Sequence, residues 1–175
     1  MSEASPGAAP GAVPRAKAHY RIGLTLAVAA VVVALDQLTK WWALERLSPP
    51  HGPIDVAWTL RFNLTFNSGM AFSQGRGLGP VIGAIALVVV VVLVISAGRG
   101  ASTLGAVAIG MVVGGAAGNL CDRLFRSDSG FLQGEVIDFI DLRWWPVFNV
   151  ADAAVVIGGI LLVVAAWRSG RDEAA

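Results

Sequence analysis

The chain has 175 residues, of which 55% are hydrophobic and 14% charged, with a formal net charge of +1. That is too little polar surface to coat a soluble globule of this size, so the composition points to a membrane protein. The near-neutral balance, with no basic stripe interleaved with aromatics, gives no footprint for nucleic acid, and the single Cys121 excludes an internal disulfide and any multi-cysteine metal site.

In chain order, residues 1–18 are rich in Ala, Pro, Gly and Ser without apolar periodicity and read as a disordered tail. Arg15, Lys17 and Arg21 precede the first apolar segment in the manner of a signal peptide. That segment is nevertheless too long for a signal-peptide core, its Ala27-Val28-Ala29 comes too early to be an exit, and Asp36 and Lys40 lie near its far end. It reads as a retained anchor. Four membrane helices are expected, over residues 22–42, 80–97, 103–120 and 150–167, each long enough at 1.5 Å per residue to cross an apolar core of about 30 Å with some bilayer thinning. The expected fold is therefore an all-α membrane protein: one four-helix domain over residues 19–168, with residues 1–18 and 169–175 as cytoplasmic tails.

An even number of spans puts both termini on one side, and the working parts belong in the two long connections. Alternation from Val56 to Phe66 predicts a short strand pair, a small extracytoplasmic sheet on the membrane surface. The connection from Cys121 to Asn149, expected as a surface helix or loop, has a turn signal at Ser127-Asp128-Ser129-Gly130 and carries Trp144 and Trp145, which favour the headgroup zone, as do Trp41 and Trp42 on the first helix. Lys and Arg outside the spans divide six to six between the two sides, so only the cluster Arg15, Lys17, Arg21 tips the termini towards the cytoplasm. Ala106, Gly110, Gly114 and Gly118, at four-residue spacing, form a smooth stripe where another helix backbone can approach.

Carboxylates at the ends of apolar segments are the chemical signal, because a charge at mid-bilayer costs about 3 kcal/mol and is usually paired or catalytic. Asp36 and Lys40 share a helix face and suit a structural clamp, the alternative for Lys40 being to snorkel to the interface. Asn119, Asp122 and Arg123 point from one side of the third helix if it continues that far, with Arg123 holding Asp122 ionised in a structural or substrate-orienting role. Asp138 sits among Val136, Ile137, Phe139 and Ile140, and Asp152 follows Asn149 at the start of the last helix, both without a close cationic neighbour in sequence. Two carboxylates brought together in a partly dry site share a proton and can act as base and acid on a water attacking a peptide carbonyl. A helix N-cap for Asp152 and a surface position for Asp138 are the structural alternatives. Asp141, three residues from Asp138, is a competitor that spacing leaves open. His19 and His51 make no metal-ligand spacing, and no Walker loop, dinucleotide fingerprint or nucleophile elbow is present, so no metal and no cofactor is expected.

Five ordered blocks now become recognisable: Asp36-Gln37-Leu38-Thr39-Lys40, Asn67-Ser68-Gly69-Met70-Ala71-Phe72-Ser73, the run from Gly114 to Arg123, Val136-Ile137-Asp138-Phe139, and Phe148-Asn149-Val150-Ala151-Asp152. Together they resemble the bacterial lipoprotein signal peptidases (signal peptidase II), membrane aspartic peptidases, over nearly everything from Ala34 to Trp167. The resemblance implies a multi-pass protein of the bacterial cytoplasmic membrane with cytoplasmic termini. It implies cleavage of prolipoproteins before a diacylglyceryl-modified cysteine, no metal, and inhibition by globomycin. It assigns the catalytic pair to Asp138 and Asp152, substrate orientation to Asn67, Asn119, Arg123 and Asn149, and support to Asp36, Lys40 and Asp122. Ser68 and Met70 depart from the commoner Thr and Ala, and the stretch between Arg123 and Asp138 is longer than usual. The competing class is a non-enzymatic polytopic protein, a proton channel or assembly factor; no repeat of polar residues through a helix centre supports it.

Overall fold

The computed structural model describes residues 15–69, 79–97, 102–127 and 130–172. In chain order they form α1 (Arg15–Leu47), β1 (Ile54–Ala57), β2 (Leu60–Asn67), α2 (Gly79–Ala97), α3 (Thr103–Phe125), β3 (Val136–Asp141) and α4 (Val150–Asp172). Residues Met70 to Ser73 of the second block, residues 98–101 between the second and third helices, and Asp128 and Ser129 of the expected turn lie outside the described residues.

The helices are apolar outwards and polar inwards. Val88, Val92, Val156, Ile160 and Val163 are exposed, whereas Asp36, Lys40, Asp122 and Asn149 have no exposed surface at all. This inversion of the soluble pattern follows when lipid is the solvent: apolar side chains lose nothing by facing it, and charges must find partners inside. Among the described residues, α1, α3 and α4 are long and apolar enough to cross a membrane, while the apolar stretch of α2, Pro80–Ser96, is shorter. Both α1 and α3 outrun their expected lengths. The longer α1 carries its last turn out to the sheet, and the longer α3 carries Asp122 and Arg123 on a continuous helix.

The central helix is α3, packed against α1, α2 and α4. Its start is fixed by Ser102, whose hydroxyl accepts from the Gly105 N–H at 3.0 Å, an ordinary N-cap. The expected glycine stripe faces α1: a Cβ at Gly114 would lie 2.7 Å from the Ala29 carbonyl oxygen, and one at Gly118 would lie 2.6 Å from Asp36 Oδ2. Missing Cβ atoms thus bring α1 close enough for its polar side chains to reach α3.

The sheet has three antiparallel strands in the order β1-β2-β3, one more than expected. The third comes from the second long connection, where no further helix forms among the described residues beyond the end of α3, so the rest of that connection is strand and loop. Val136 to Phe139 are buried on both faces of β3, so the strand shows no alternation of apolar and polar positions, which hid it. Thr65 of β2 stands opposite Asp138, and Arg61 opposite Asp141. Ile137 and Phe139 pack on Ala43 and Leu47 at the end of α1. Trp42 joins this core, its ring 5.1 Å from Phe62 and edge-on to it; Trp41, Trp144 and Trp145 are exposed.

Candidate active site

Four elements bring their polar residues to one place beside the start of α4. Asn149 caps that helix: its Oδ1 accepts from the Asp152 N–H at 2.9 Å, while Asp152 Oδ2 accepts from the Asn149 N–H at 3.1 Å. This reciprocal pair is a capping box, so Asp152 does belong to the cap. Its other oxygen is turned elsewhere, accepting from Asn119 Nδ2 of α3 at 2.8 Å.

Asp138 reaches the same group from β3. Its Oδ1 accepts from Asn149 Nδ2 at 2.7 Å and its Oδ2 from Asn67 Nδ2 at 3.0 Å. Asn149 Nδ2 also lies 3.0 Å from Asn119 Oδ1. The two aspartates are therefore joined through the side-chain amides of Asn149 and Asn119. Burial, together with the negative charge of Asp152, pushes the Asp138 carboxyl up to about 6 against the hydrogen bonds from Asn67 and Asn149.

Beneath this chain lies a buried ion cluster. Lys40 Nζ is 2.8 Å from Asp36 Oδ2, 2.7 Å from Asp122 Oδ2 and donates to Asn119 Oδ1 at 2.9 Å, which uses all three of its donors. Lys40 is wholly buried, so it clamps and does not snorkel. The Ala151 N–H donates to Asp36 Oδ1 at 3.0 Å and the Ile137 N–H to Asp122 Oδ2 at 3.3 Å, tying α4 and β3 to the cluster. Removing one member of such a buried pair typically costs about 3–5 kcal/mol, because the other charge is left unpaired.

The expected pairing of Arg123 with Asp122 is not found. Neighbours in sequence on a helix diverge by about 100°, and the ion-pair partners of Asp122 are Lys40 and, one turn on, Arg126 at 2.8 Å. Arg123 lies within the electrostatic reach of Asp138, Asp122 and Asp152, and its Nη1 is buried without a hydrogen-bond partner. Arg126 and Gln37, whose Nε2 lies 3.2 Å from Asp122 Oδ1, were not singled out from the sequence; the i,i+4 spacing from Asp122 marks Arg126, but nothing local marks Gln37. Asp141 is drawn away from this group. It lies three residues along a strand, and its Oδ2 accepts from Arg61 Nε at 2.7 Å. Burial pushes the Asp141 carboxyl upward, but Arg61, the Arg143 N–H and Asn63 outweigh it and hold the group below its ordinary value.

A largely apolar cavity of about 490 Å³ adjoins the site, lined by Ile82, Ala86 and Val89 of α2, Val112 and Ala116 of α3 and Val155 of α4, with Asn67, Asn119, Arg123 and Asp152 at its polar margin. Among the described residues no group of three or more His, Cys, Asp or Glu is placed to hold a metal ion.

The model of the family described as signal peptidase (SPase) II matches residues 28–168. A lipoprotein signal peptidase of Mycobacterium avium (strain 104) is 47% identical over 152 residues, 86% of this chain and 82% of the relative. One from Rhodococcus jostii (strain RHA1) is 40% identical over 158 residues, 90% of this chain and 78% of the relative. Among solved structures, a bacterial membrane enzyme determined by the in meso method at 2.3 Å resolution superposes with a TM-score of 0.72 at 28% identity, covering 86% of this chain and 92% of that one. The blocks that carry the buried ion cluster and the asparagine-linked aspartates all fall within the matched region, and this chain belongs to the signal peptidase II family.

Proposed function

We propose that this membrane protease is an aspartic endopeptidase in which Asp138 and Asp152 share one proton, and that it removes signal peptides from prolipoproteins by cutting before a diacylglyceryl-modified cysteine. The observation that carries the reading is the pair itself: two carboxyls from different elements, linked through Asn149 and Asn119, one of them with its proton held up to about pH 6. Two such groups do not both ionise easily, and the shared proton makes one the base and the other the acid. The ionised carboxyl takes a proton from water as its oxygen attacks the scissile carbonyl carbon. The protonated carboxyl stabilises the developing oxyanion, and the pair then delivers a proton to the leaving amine as the C–N bond breaks. Arg123, with Nη1 unpartnered beside the pair, suits a peptide carbonyl, and the amides of Asn67, Asn119 and Asn149 hold the carboxyls in place.

The apolar cavity suits acyl chains, each buried CH₂ being worth about 0.8 kcal/mol, so that lipid binding positions the peptide bond. In this reading α2, at 19 residues, is the fourth span with a length of about 28 Å, the sheet is extracytoplasmic, and both termini lie in the cytoplasm.

The test is turnover of a lipidated prolipoprotein by purified protein in detergent, with and without globomycin. Asp138→Asn and Asp152→Asn each lower kcat by about 10² or more, and the double variant is hardly worse than either single one, because the two carboxyls act as a unit. Asp141→Asn stays within a few-fold of wild type. Loss of activity in Asp141→Asn with Asp138→Asn still active, in equally folded protein, overturns the assignment.

A further inference from the structure

Arg123 is held by a turn that no part of the mechanism above uses. Leu132 lies in the long connection between α3 and β3, is 4% exposed, and has φ +59, a backbone conformation disfavoured for a bulky residue. Its side chain enters the contact between α2 and α3 at Gly83. A Cβ on Gly83 would lie 3.1 Å and 3.3 Å from the two Leu132 methyls and 3.5 Å from Arg123 Cδ. Two residues on, the Gly134 N–H donates to the Arg123 carbonyl at 3.0 Å, and a Cβ at Gly134 would overlap the Asp122 carbonyl oxygen. One short turn therefore holds the Arg123 backbone through Gly134 and seats Leu132 on Gly83, the same spot that the Arg123 stem faces, with Gly83 leaving the room for both.

We infer that Leu132 is a positioning residue for the reaction: seated on Gly83, it fixes the Arg123 stem so that the guanidinium stands beside Asp138 and Asp152. The inference rests on the proposed peptidase reading and adds to it a residue outside the five blocks. Buried strain at Leu132 is retained because relaxing the turn would let the Arg123 stem move, and displacements of about 1 Å at a reacting centre can cost about a hundredfold in rate. Leu132 does not line the cavity, whereas Gly83 does, which lets positioning be separated from obstruction.

The experiment is a double-variant cycle on Gly83→Ala and Leu132→Ala, with kcat and KM measured on a lipidated prolipoprotein and folding checked by thermal melting. Gly83→Ala lowers kcat by about tenfold with KM within about threefold, because its methyl displaces Leu132 and the Arg123 stem. In the Leu132→Ala background the same substitution costs less than about twofold, since the space it needs has been vacated. A methyl at Gly83 that merely obstructed substrate would raise KM and gain no relief from Leu132→Ala. That result, or losses that multiply independently in an active enzyme, overturns the inference and leaves the peptidase reading standing. A wild-type protein that fails to cleave, or Asp138→Asn and Asp152→Asn variants that still do, removes both.

Discussion

At the scale of single residues, one carboxyl in two environments separates Asp138 from Asp141. Both are buried on the same strand, but Asp141 is paired directly with a guanidinium, whereas Asp138 is hydrogen-bonded to amides and lies in the field of another carboxylate. Their linkage to stability therefore runs in opposite directions. The Asp138 carboxyl is raised from 3.8 to about 6, so its contribution to folding is fully present below about pH 4 and is lost as pH rises through about 6. The loss amounts to about 3 kcal/mol at neutral pH. Asp141, held down, contributes above the ordinary carboxylate range and loses that contribution as pH falls. Melting curves in detergent should accordingly show Asp138→Asn gaining on wild type between about pH 4 and about pH 7, while the deficit of Asp141→Asn stays level over that interval and shrinks only as pH falls below the ordinary carboxylate value of 3.8. A pH-independent difference for Asp138→Asn would mean that its carboxyl is not raised.

At the scale of elements, the site depends on how closely α1 approaches α3. The stripe at Gly110, Gly114 and Gly118 brings α1 in until Asp36 and Lys40 reach Asp122 and Asn119 across the interface. Gly114→Val forces a branched side chain against the Ala29 carbonyl and Val32 Cβ, each 2.7 Å from a Cβ at that position, and should destabilise by about 1–3 kcal/mol with loss of turnover. Gly23→Ala, on α1 with nothing within 4 Å of a new Cβ, is the control and should be neutral or slightly stabilising through helix propensity. Thermal melting of the two variants checks the contrast; equal effects would mean that the close approach does not hold the bundle.

For the whole molecule, the pattern of exposed aliphatics around buried charge implies a protein solvated by lipid, and the proposed arrangement has four spans with both long connections outside. Alkaline phosphatase fused within the hairpin near Thr59 should be active and a fusion after Arg171 inactive; the reverse result would invert the orientation. The cavity between α2, α3 and α4 makes a second whole-molecule statement: an unlipidated prolipoprotein should be cut far more slowly than its diacylglyceryl form, with the difference appearing at limiting substrate. Equal rates on both would leave the cavity without a role in recognition.

Much of this was determined by the sequence alone. Apolar runs of membrane length, the glycine stripe, and the unneutralised carboxylates of Asp138 and Asp152 are local patterns, and local patterns are visible along a chain. The ordered blocks and their resemblance carried the family as well. What the sequence could not decide was which polar groups meet. The three partners of Lys40 come from α1 and from two positions on α3, roughly 80 residues away, and Asn149 joins Asp138 to Asn119 across three elements. Strand β3 lacked alternation because it is buried on both faces, so the separation of Asp138 from Asp141 to different partners emerged only once β2 was laid beside it. Likewise the seat of Leu132 on Gly83 carries no sequence signal, since it depends on empty space opposite a side chain in another element. Periodicity reports the environment of one element at a time; pairing across elements is set by the packing that brings them together.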